Sequence, residues 1–126
     1  MKAYVDTSYL VAIAFGEEGS EKLAVRPQQA DRLFTSSLLE AELRSVFSRE
    51  APGESCGHFL APLTIIYANR ALTDELQQVL RNGYVRGADA HHLACALFLS
   101  ADPSQLTFLT LDQRQHEVAG KLGFSG

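Results

Sequence analysis

The spacing of apolar positions predicts alternating strands and helices along most of the chain. Residues 2–5 predict a buried strand, and the continuously apolar stretch over residues 8–15 predicts a helix, with Asp6 at the junction. Residues 106–112, LTFLTLD, give the clearest strand pattern, and residues 32–35 predict a second, short strand. The remaining pattern predicts helices over residues 36–50, 59–69, 74–82, 89–100 and 113–122, with a loop over residues 51–57.

This order of elements predicts an α/β fold. Parallel neighbouring strands require a crossover connection, and helices between strands supply one. The chain shows no internal repeat, low-complexity tract or linker, and its 126 residues are the length of one ordinary domain. We therefore expect a single domain over residues 1–126, with three layers in which helices cover both faces of a parallel sheet.

Composition excludes several protein classes. Hydrophobic residues make up 46% of the chain and charged residues 21%, which is typical of globular domains and not of disordered, collagen-like or coiled-coil chains. The longest charge-free apolar run, residues 7–16, is about half of a membrane-spanning helix. Asp6 interrupts the start of a signal-peptide pattern. We expect a soluble, cytoplasmic protein with no membrane partner, and free thiols at Cys56 and Cys95, whose spacing fits neither disulfides nor zinc.

Four acidic residues stand at positions where α/β proteins place their chemistry. The net charge of −4 argues against a general nucleic-acid coat protein, so the placement of the acids matters more than their sum. Functional groups gather at the carboxyl ends of the strands, and Asp6 and Asp112 each follow a predicted strand. Glu42 and Asp89 lie near helix starts, which tend to reach the same edge. Without these four, acidic and basic residues are equal in number, so the four candidate residues account for the whole net negative charge.

A cluster of carboxylates is the expected site of a divalent cation. Like charges a few ångströms apart oppose ionisation, and a bound cation removes that penalty. Oxygen ligands without thiolates suit Mg²⁺ or Mn²⁺ rather than zinc. Each aspartate also has a structural alternative, because Asp6, Asp89 or Asp112 could simply cap the helix that follows it. His91 and His92 are expected to pack and to donate supporting hydrogen bonds rather than to bind metal.

Two glutamates compete for one position in the site. The spacing from Ser37 to Glu40 is that of a capping box, and Arg44 stands four residues after Glu40 as an ordinary helix-surface partner. Glu42 has no basic partner within a turn and lies beside the apolar stripe of its helix. We select Glu42 as the candidate ligand, while Glu40 stays open as the alternative.

Four motifs in sequence order resemble the PIN domain. They are VDTSYL near the start, SSLLEAEL in the first third, ADAHHLACAL past two-thirds, and FLTLDQRQ before a terminal GF. The chain is similar to the toxin ribonucleases of VapBC-type toxin–antitoxin pairs over nearly its whole length. The resemblance implies a parallel sheet of about five strands flanked by helices. It places the four acidic positions of the family at Asp6, Glu42, Asp89 and Asp112, and its small polar positions at Thr7, Ser8 and Thr110, with Ser8 as the preferred catalytic contributor.

The resemblance also implies a function. Such proteins are Mg²⁺- or Mn²⁺-dependent endoribonucleases that form homodimers and are silenced by a cognate antitoxin protein covering the groove. We therefore expect metal-assisted hydrolysis of RNA phosphodiester bonds, with RNA backbone contacts from arginines near the motifs. An aspartyl-phosphate enzyme is disfavoured because Ser8 stands where a second aspartate is required, and a non-catalytic PIN-like interaction module is the alternative. The candidate RNA-binding arginines are Arg44, Arg49, Arg86 and Arg114.

Overall fold

A computed structural model describes residues 1–126, with four parallel strands at its centre. The strands are β1 (Lys2–Val5), β2 (Arg32–Ser36), β3 (Leu63–Ile66) and β4 (Leu106–Leu109), and they lie side by side in the order β3-β2-β1-β4. The helices are α1 (Thr7–Ala14), α2 (Ser20–Gln29), α3 (Ser37–Glu50), α4 (Gly57–Leu60), α5 (Thr73–Arg81), α6 (Gly87–Leu99) and α7 (Gln113–Leu122), with a 3-10 helix over Pro103–Gln105.

Helices cover both faces of the sheet, so the predicted three-layer α/β fold is confirmed. Side chains alternate between the two faces of a strand, and in β1 the side chain of Tyr4 joins one core cluster while Ala3 and Val5 join the other. The first cluster contains residues of α5, α6 and α7. The second contains residues of α1 and α3, including the fully buried Leu39 and Leu43.

The sheet has four strands rather than the five or so that the family resemblance implied. The place beside β4 is taken by one residue, Ser125, which forms an isolated parallel bridge with Thr107. The Phe108 amide donates to the Ser125 carbonyl at 2.8 Å, and the Ser125 amide donates to the Leu106 carbonyl at 3.1 Å. The C-terminal segment therefore pairs like a fifth strand, but over too few residues to be one.

Two segments differ from their sequence-based predictions. The predicted helix over residues 59–69 is wrong, because this segment contains the end of α4 and the strand β3, which pairs with β2 from Leu33↔Leu63 onwards. The β-branched run Thr64-Ile65-Ile66 favours a strand, but β3 is a half-buried edge strand and lacks clear alternation. Helix α2 was not predicted, since none of its residues is fully buried and Pro27 lies within it.

Two further expectations concern cysteines and membranes. Cys56 and Cys95 are free thiols, as predicted, and both are buried. No helix in the protein combines the length and the apolarity that crossing a membrane would require.

The carboxyl ends of the two adjacent strands β1 and β4 bring distant residues together. Their parallel register pairs Val5 with Leu109, and the Asp6 amide continues it by donating to the Leu109 carbonyl at 3.1 Å. Asp6 and Thr110 consequently lie side by side although they are far apart in sequence. Helix α3 begins at the carboxyl end of β2, so its first turns reach the same edge of the sheet.

Candidate active site

Asp6 is a buried carboxylate with hydrogen bonds to both of its oxygens. Its side chain is 2% exposed and caps α1, with Oδ1 accepting from the Tyr9 amide at 3.1 Å. Oδ1 also accepts from the Ser8 hydroxyl at 2.8 Å, and Oδ2 accepts from the Thr110 hydroxyl. Burial raises the pKa of Asp6 to about 6, while these donors lower the pKa and the charge of Asp89 raises it. Asp6 is therefore both a helix cap and the most deeply placed candidate carboxylate.

Asp89 lies at the electrostatic centre of the four predicted carboxylates. Burial raises its pKa, the charges of Asp112 and Glu42 raise it further, and Arg86 lowers it. The charge of Asp89 in turn raises the pKa of Asp6. The four side chains thus lie within range of one another's charge at the carboxyl edge of the sheet, and the region between them is called the cleft below. The alternative in which Asp89 merely caps its helix is wrong, because Arg86 is the N-cap residue of α6.

Asp112 occupies the exposed side of the cleft and has a structural task as well. It is the N-cap residue of α7, and its Oδ1 accepts a hydrogen bond from the Gln115 amide at 2.8 Å. The capping alternative is therefore correct for one oxygen of Asp112. It does not remove Asp112 from the cleft, because the carboxylate is close enough to Asp89 to raise the pKa of that residue.

The two competing glutamates of α3 point to different partners. Glu40 Oε2 accepts from Arg44 Nε at 2.8 Å, which is the predicted helix-surface pair. The predicted capping box is wrong, because the N-cap residue is Ser36 and Ser37 already lies in the helix. Glu42 instead accepts a 2.7 Å hydrogen bond from the Thr7 hydroxyl.

A chain of hydrogen bonds connects Glu42 to the core. His92 is buried, and burial holds its pKa well below the usual range, so the ring is neutral. Burial also raises the pKa of Tyr4, whose hydroxyl lies 2.7 Å from His92 Nδ1. With Tyr4 donating to Nδ1, the proton of the neutral ring is on Nε2, which lies 3.1 Å from Thr7 Oγ1. Thr7 can then donate its own proton to Glu42, so the chain orients that carboxylate.

Replacing Thr7 with valine tests this orientation. Thr7→Val keeps the side-chain shape but removes the hydroxyl between His92 and Glu42, so we expect a stability loss of about 1–2 kcal/mol. We also expect cleavage to fall by roughly 10- to 100-fold, as when other supporting hydrogen bonds to ligands are lost. The matched control is Thr64→Val, at the exposed position of the half-buried strand β3. Equal cleavage by the two variants would show that Thr7 does not position Glu42.

Gln115 is a site residue that the sequence analysis missed. Its side chain is 0% exposed, and its Nε2 donates to the Asp89 carbonyl at 3.1 Å. Its Oε1 lies 3.1 Å from Thr110 Oγ1. Gln115 thus joins α7 to α6 and to the end of β4. The available signal was its position in the buried stripe of α7, which continues with Val118, Ala119 and Leu122.

Loss of the Gln115 amide should destabilise the packing of α7 against α6 and the end of β4. Gln115→Leu removes both side-chain hydrogen bonds of this buried amide, to the Asp89 carbonyl and to Thr110, so we expect a stability loss of about 1–3 kcal/mol in urea unfolding. The control is Gln113→Leu at the exposed start of the same helix, with an expected change within about 0.5 kcal/mol. A Gln115→Leu midpoint equal to that of the control would contradict this bridging role.

The four predicted RNA-contacting arginines fall into two groups. Arg44 and Arg49 are engaged in ion pairs with Glu40 and Glu50. Arg86 and Arg114 are exposed beside the cleft, and neither forms an ion pair. The second group is therefore better placed to contact a phosphate near the carboxylates.

The carboxylates fit a hard divalent cation by their donor chemistry. All four offer oxygen ligands, and the neighbouring negative charges that raise the pKa of Asp6 and of Asp89 are the repulsion that a cation relieves. In their present rotamers, no three Asp, Glu, His or Cys side chains are grouped closely enough to hold one ion. The candidate ligands are therefore neighbours around a cleft rather than a preformed coordination shell.

Comparison with known proteins gives one family. The family model described as the PIN domain matches residues 3–121, a range that includes all four candidate carboxylates. No curated protein matches the sequence significantly.

Proposed function

The chain belongs to the PIN domain family, and from this premise we propose that it is an endoribonuclease dependent on Mg²⁺ or Mn²⁺. PIN domains are in general nucleases that use divalent metals. The observation that supports the proposal most is the position of Asp89, whose charge interacts with those of Asp6, Glu42 and Asp112. Uncompensated carboxylates are costly to bring together, so their convergence favours a chemical role over a structural one.

The proposed roles follow from the contacts of each side chain. Asp6, Glu42, Asp89 and Asp112 would hold the cation, which when bound lowers the pKa of a water ligand and neutralises phosphate charge. Ser8 donates to Asp6 Oδ1 and accepts from the Leu111 amide at 3.2 Å, so it fixes Asp6 against the end of β4. We propose Ser8 as a contributor to catalysis through this positioning. Thr7 does the same for Glu42.

The physiological role that we propose is that of the toxin in a VapBC-type toxin–antitoxin pair. The proposal of a toxin rests on the order of the four sequence motifs. With it we also propose a cognate antitoxin partner, a homodimer and a cytoplasmic location. Expression of the parent chain in growing bacteria should arrest growth, and expression of an Asp89→Asn variant should not. Equal growth with both would contradict the toxin role while leaving the nuclease activity to be measured separately.

Cleavage of total cellular RNA tests the nuclease itself. We expect fragments with Mg²⁺ or Mn²⁺, no fragments with EDTA, and no fragments from Asp89→Asn under any condition. Calorimetry with Mn²⁺ should show binding to the parent chain and at least 10-fold weaker binding to Asp89→Asn. Absence of both cleavage and Mn²⁺ binding would favour the alternative, a non-catalytic PIN-like interaction module.

A further inference from the structure

Tyr84 is an exposed aromatic residue beside the cleft that no role described above explains. It is 70% exposed, and only Tyr67, at 71%, is similarly exposed among the large apolar side chains. Tyr84 lies in the connection between α5 and α6, two residues before Arg86 and five before Asp89. A single exposed apolar side chain is ordinary on a protein surface, so it is the position of Tyr84 close to Arg86, Arg114 and Asp89 in the chain and the fold that points to a ligand.

The backbone that carries Tyr84 is fixed on both sides. Val85 is buried in the core, 4% exposed. Gly83 has φ +151°, and a Cβ at this position would lie 2.9 Å from Val118 Cγ2, so the chain here runs directly against α7. Arg114 Nε donates to the Tyr84 carbonyl at 2.9 Å. The Tyr84 ring therefore projects from a fixed backbone rather than from a loose loop.

Two arginines that form no ion pair lie near the Tyr84 backbone, Arg114 through its hydrogen bond to the Tyr84 carbonyl and Arg86 two residues along the chain. Arg86 is close enough to the cleft to lower the pKa of Asp89, and Arg114 follows Asp112 by two residues. An exposed aromatic ring with neighbouring arginines is the combination that binds single-stranded nucleic acid, in which bases stack on the ring and cations contact phosphates. A duplex keeps its bases stacked on one another, so it cannot use such a ring in this way.

We propose that Tyr84 is a stacking platform for one base of single-stranded RNA, with Arg86 and Arg114 contacting the adjacent phosphates. The platform orients the strand as it enters the carboxylate cleft. This inference rests on the proposed nuclease function, because it assigns the substrate form and a positioning residue for the same site.

A single tryptophan can report the stacking. The chain contains no tryptophan, so Tyr84→Trp introduces one fluorophore. Tyr67→Trp introduces the matched control directly after β3, which is the edge strand farthest from β4. Both are made with Asp89→Asn to prevent cleavage, and each is titrated with single-stranded oligoadenylate or the corresponding adenylate–uridylate duplex. We expect saturable quenching at position 84 with the single strand only, and none at position 67. Equal quenching at both positions, or quenching by the duplex, would overturn the assignment.

Affinity measurements separate this inference from the proposed function. By fluorescence anisotropy of labelled oligoadenylate, Tyr84→Ala should bind about 10-fold or more weakly, and Tyr84→Phe should bind like the parent because the ring is kept. Parent-like binding by Tyr84→Ala overturns the platform, while RNA cleavage by the parent would still support the nuclease. If RNA binding depends on Tyr84 but the parent shows no metal-dependent cleavage, the proposed nuclease function is contradicted and the stacking role of Tyr84 is not. Loss of self-association in Tyr84→Ala, with RNA binding intact, would identify the ring as a protein contact and overturn the proposal.

Discussion

Asp6→Asn is expected to abolish RNA cleavage and, without divalent cations, to unfold at a higher temperature than the parent. The first effect follows from removing the most buried candidate ligand of the cleft. The second follows from the cost of keeping a negative charge at a position that is 2% exposed and is repelled by Asp89. A residue whose only role is to stabilise the fold would not be expected to raise the melting temperature when it is replaced.

The hydrogen bonds around Asp6 allow asparagine to fit. The side-chain oxygen of the introduced amide can accept from the Tyr9 amide and the Ser8 hydroxyl, as the carboxylate does. The side-chain nitrogen of the same amide can donate to Thr110 Oγ1. Thr110 has a single hydroxyl proton and two nearby acceptors, Asp6 Oδ2 and Gln115 Oε1. With an amide in place of the carboxylate, that proton is free for Gln115, and every polar group has a partner.

The size and the pH dependence of the effect follow from the pKa of Asp6. Because folding raises it from 3.8 to about 6, the folded state binds more protons than the unfolded state across that window. Stability of the parent therefore falls as the pH rises through the window, by about 3 kcal/mol in total, and the loss persists above it. Asp6→Asn should escape this loss and melt roughly 10 °C higher at pH 7.

Thermal unfolding in EDTA at several pH values tests this expectation. The difference in melting temperature between variant and parent should be largest above pH 6 and should vanish only as the pH falls well below the ordinary pKa of 3.8. Asp102→Asn is a suitable control, because Asp102 is an exposed cap that accepts from the Ser104 amide. A melting temperature of Asp6→Asn below that of the parent at pH 7 would contradict the account of repelling, buried charge.

Glu42→Gln is expected to reduce cleavage by about 100-fold or more, whereas Glu40→Gln should leave cleavage unchanged. Glutamine at position 42 can still accept from Thr7 through its amide oxygen, so the fold is kept while the charge facing Asp89 is lost. Glu40 pairs with Arg44 on the surface, and such pairs contribute only about 0.3–0.5 kcal/mol. The two substitutions are chemically identical and stand two residues apart on one helix.

The comparison is made with single-turnover cleavage and thermal unfolding of both variants. Similar melting temperatures together with a large difference in cleavage would assign the chemical role to Glu42. The opposite pattern, a large loss for Glu40→Gln only, would show that the wrong glutamate had been selected. Equal, small losses would mean that neither side chain takes part in the reaction.

The sequence predicted the elements that bury a regular stripe and missed those that do not. Strand β4 and helix α6 are strongly apolar, and both were predicted close to their observed positions. Strand β3 is a half-buried edge, and α2 buries none of its residues completely. Local apolar periodicity is weak in both, since their placement depends on neighbours distant in sequence.

The candidate site was also predictable only in part. The acids could be selected because strand ends and helix starts are visible in the sequence. The supporting contacts of Gln115 and the chain from Tyr4 through His92 could not be predicted, because they depend on how α6 and α7 pack against the sheet. Thr7 and Thr110 stand beside predicted acids, but their partners became identifiable only with the register of β1 and β4.

The pairing of β1 with β4 also determines when the cleft can exist during protein synthesis. Asp6 is synthesised well before its Thr110 partner, which is 104 positions further along the chain. Contacts of such long sequence separation form only after the intervening chain has been closed into a loop. A nascent chain on the ribosome therefore lacks the complete cleft until β4 and the start of α7 have emerged, so the site cannot bind a cation or a substrate before then.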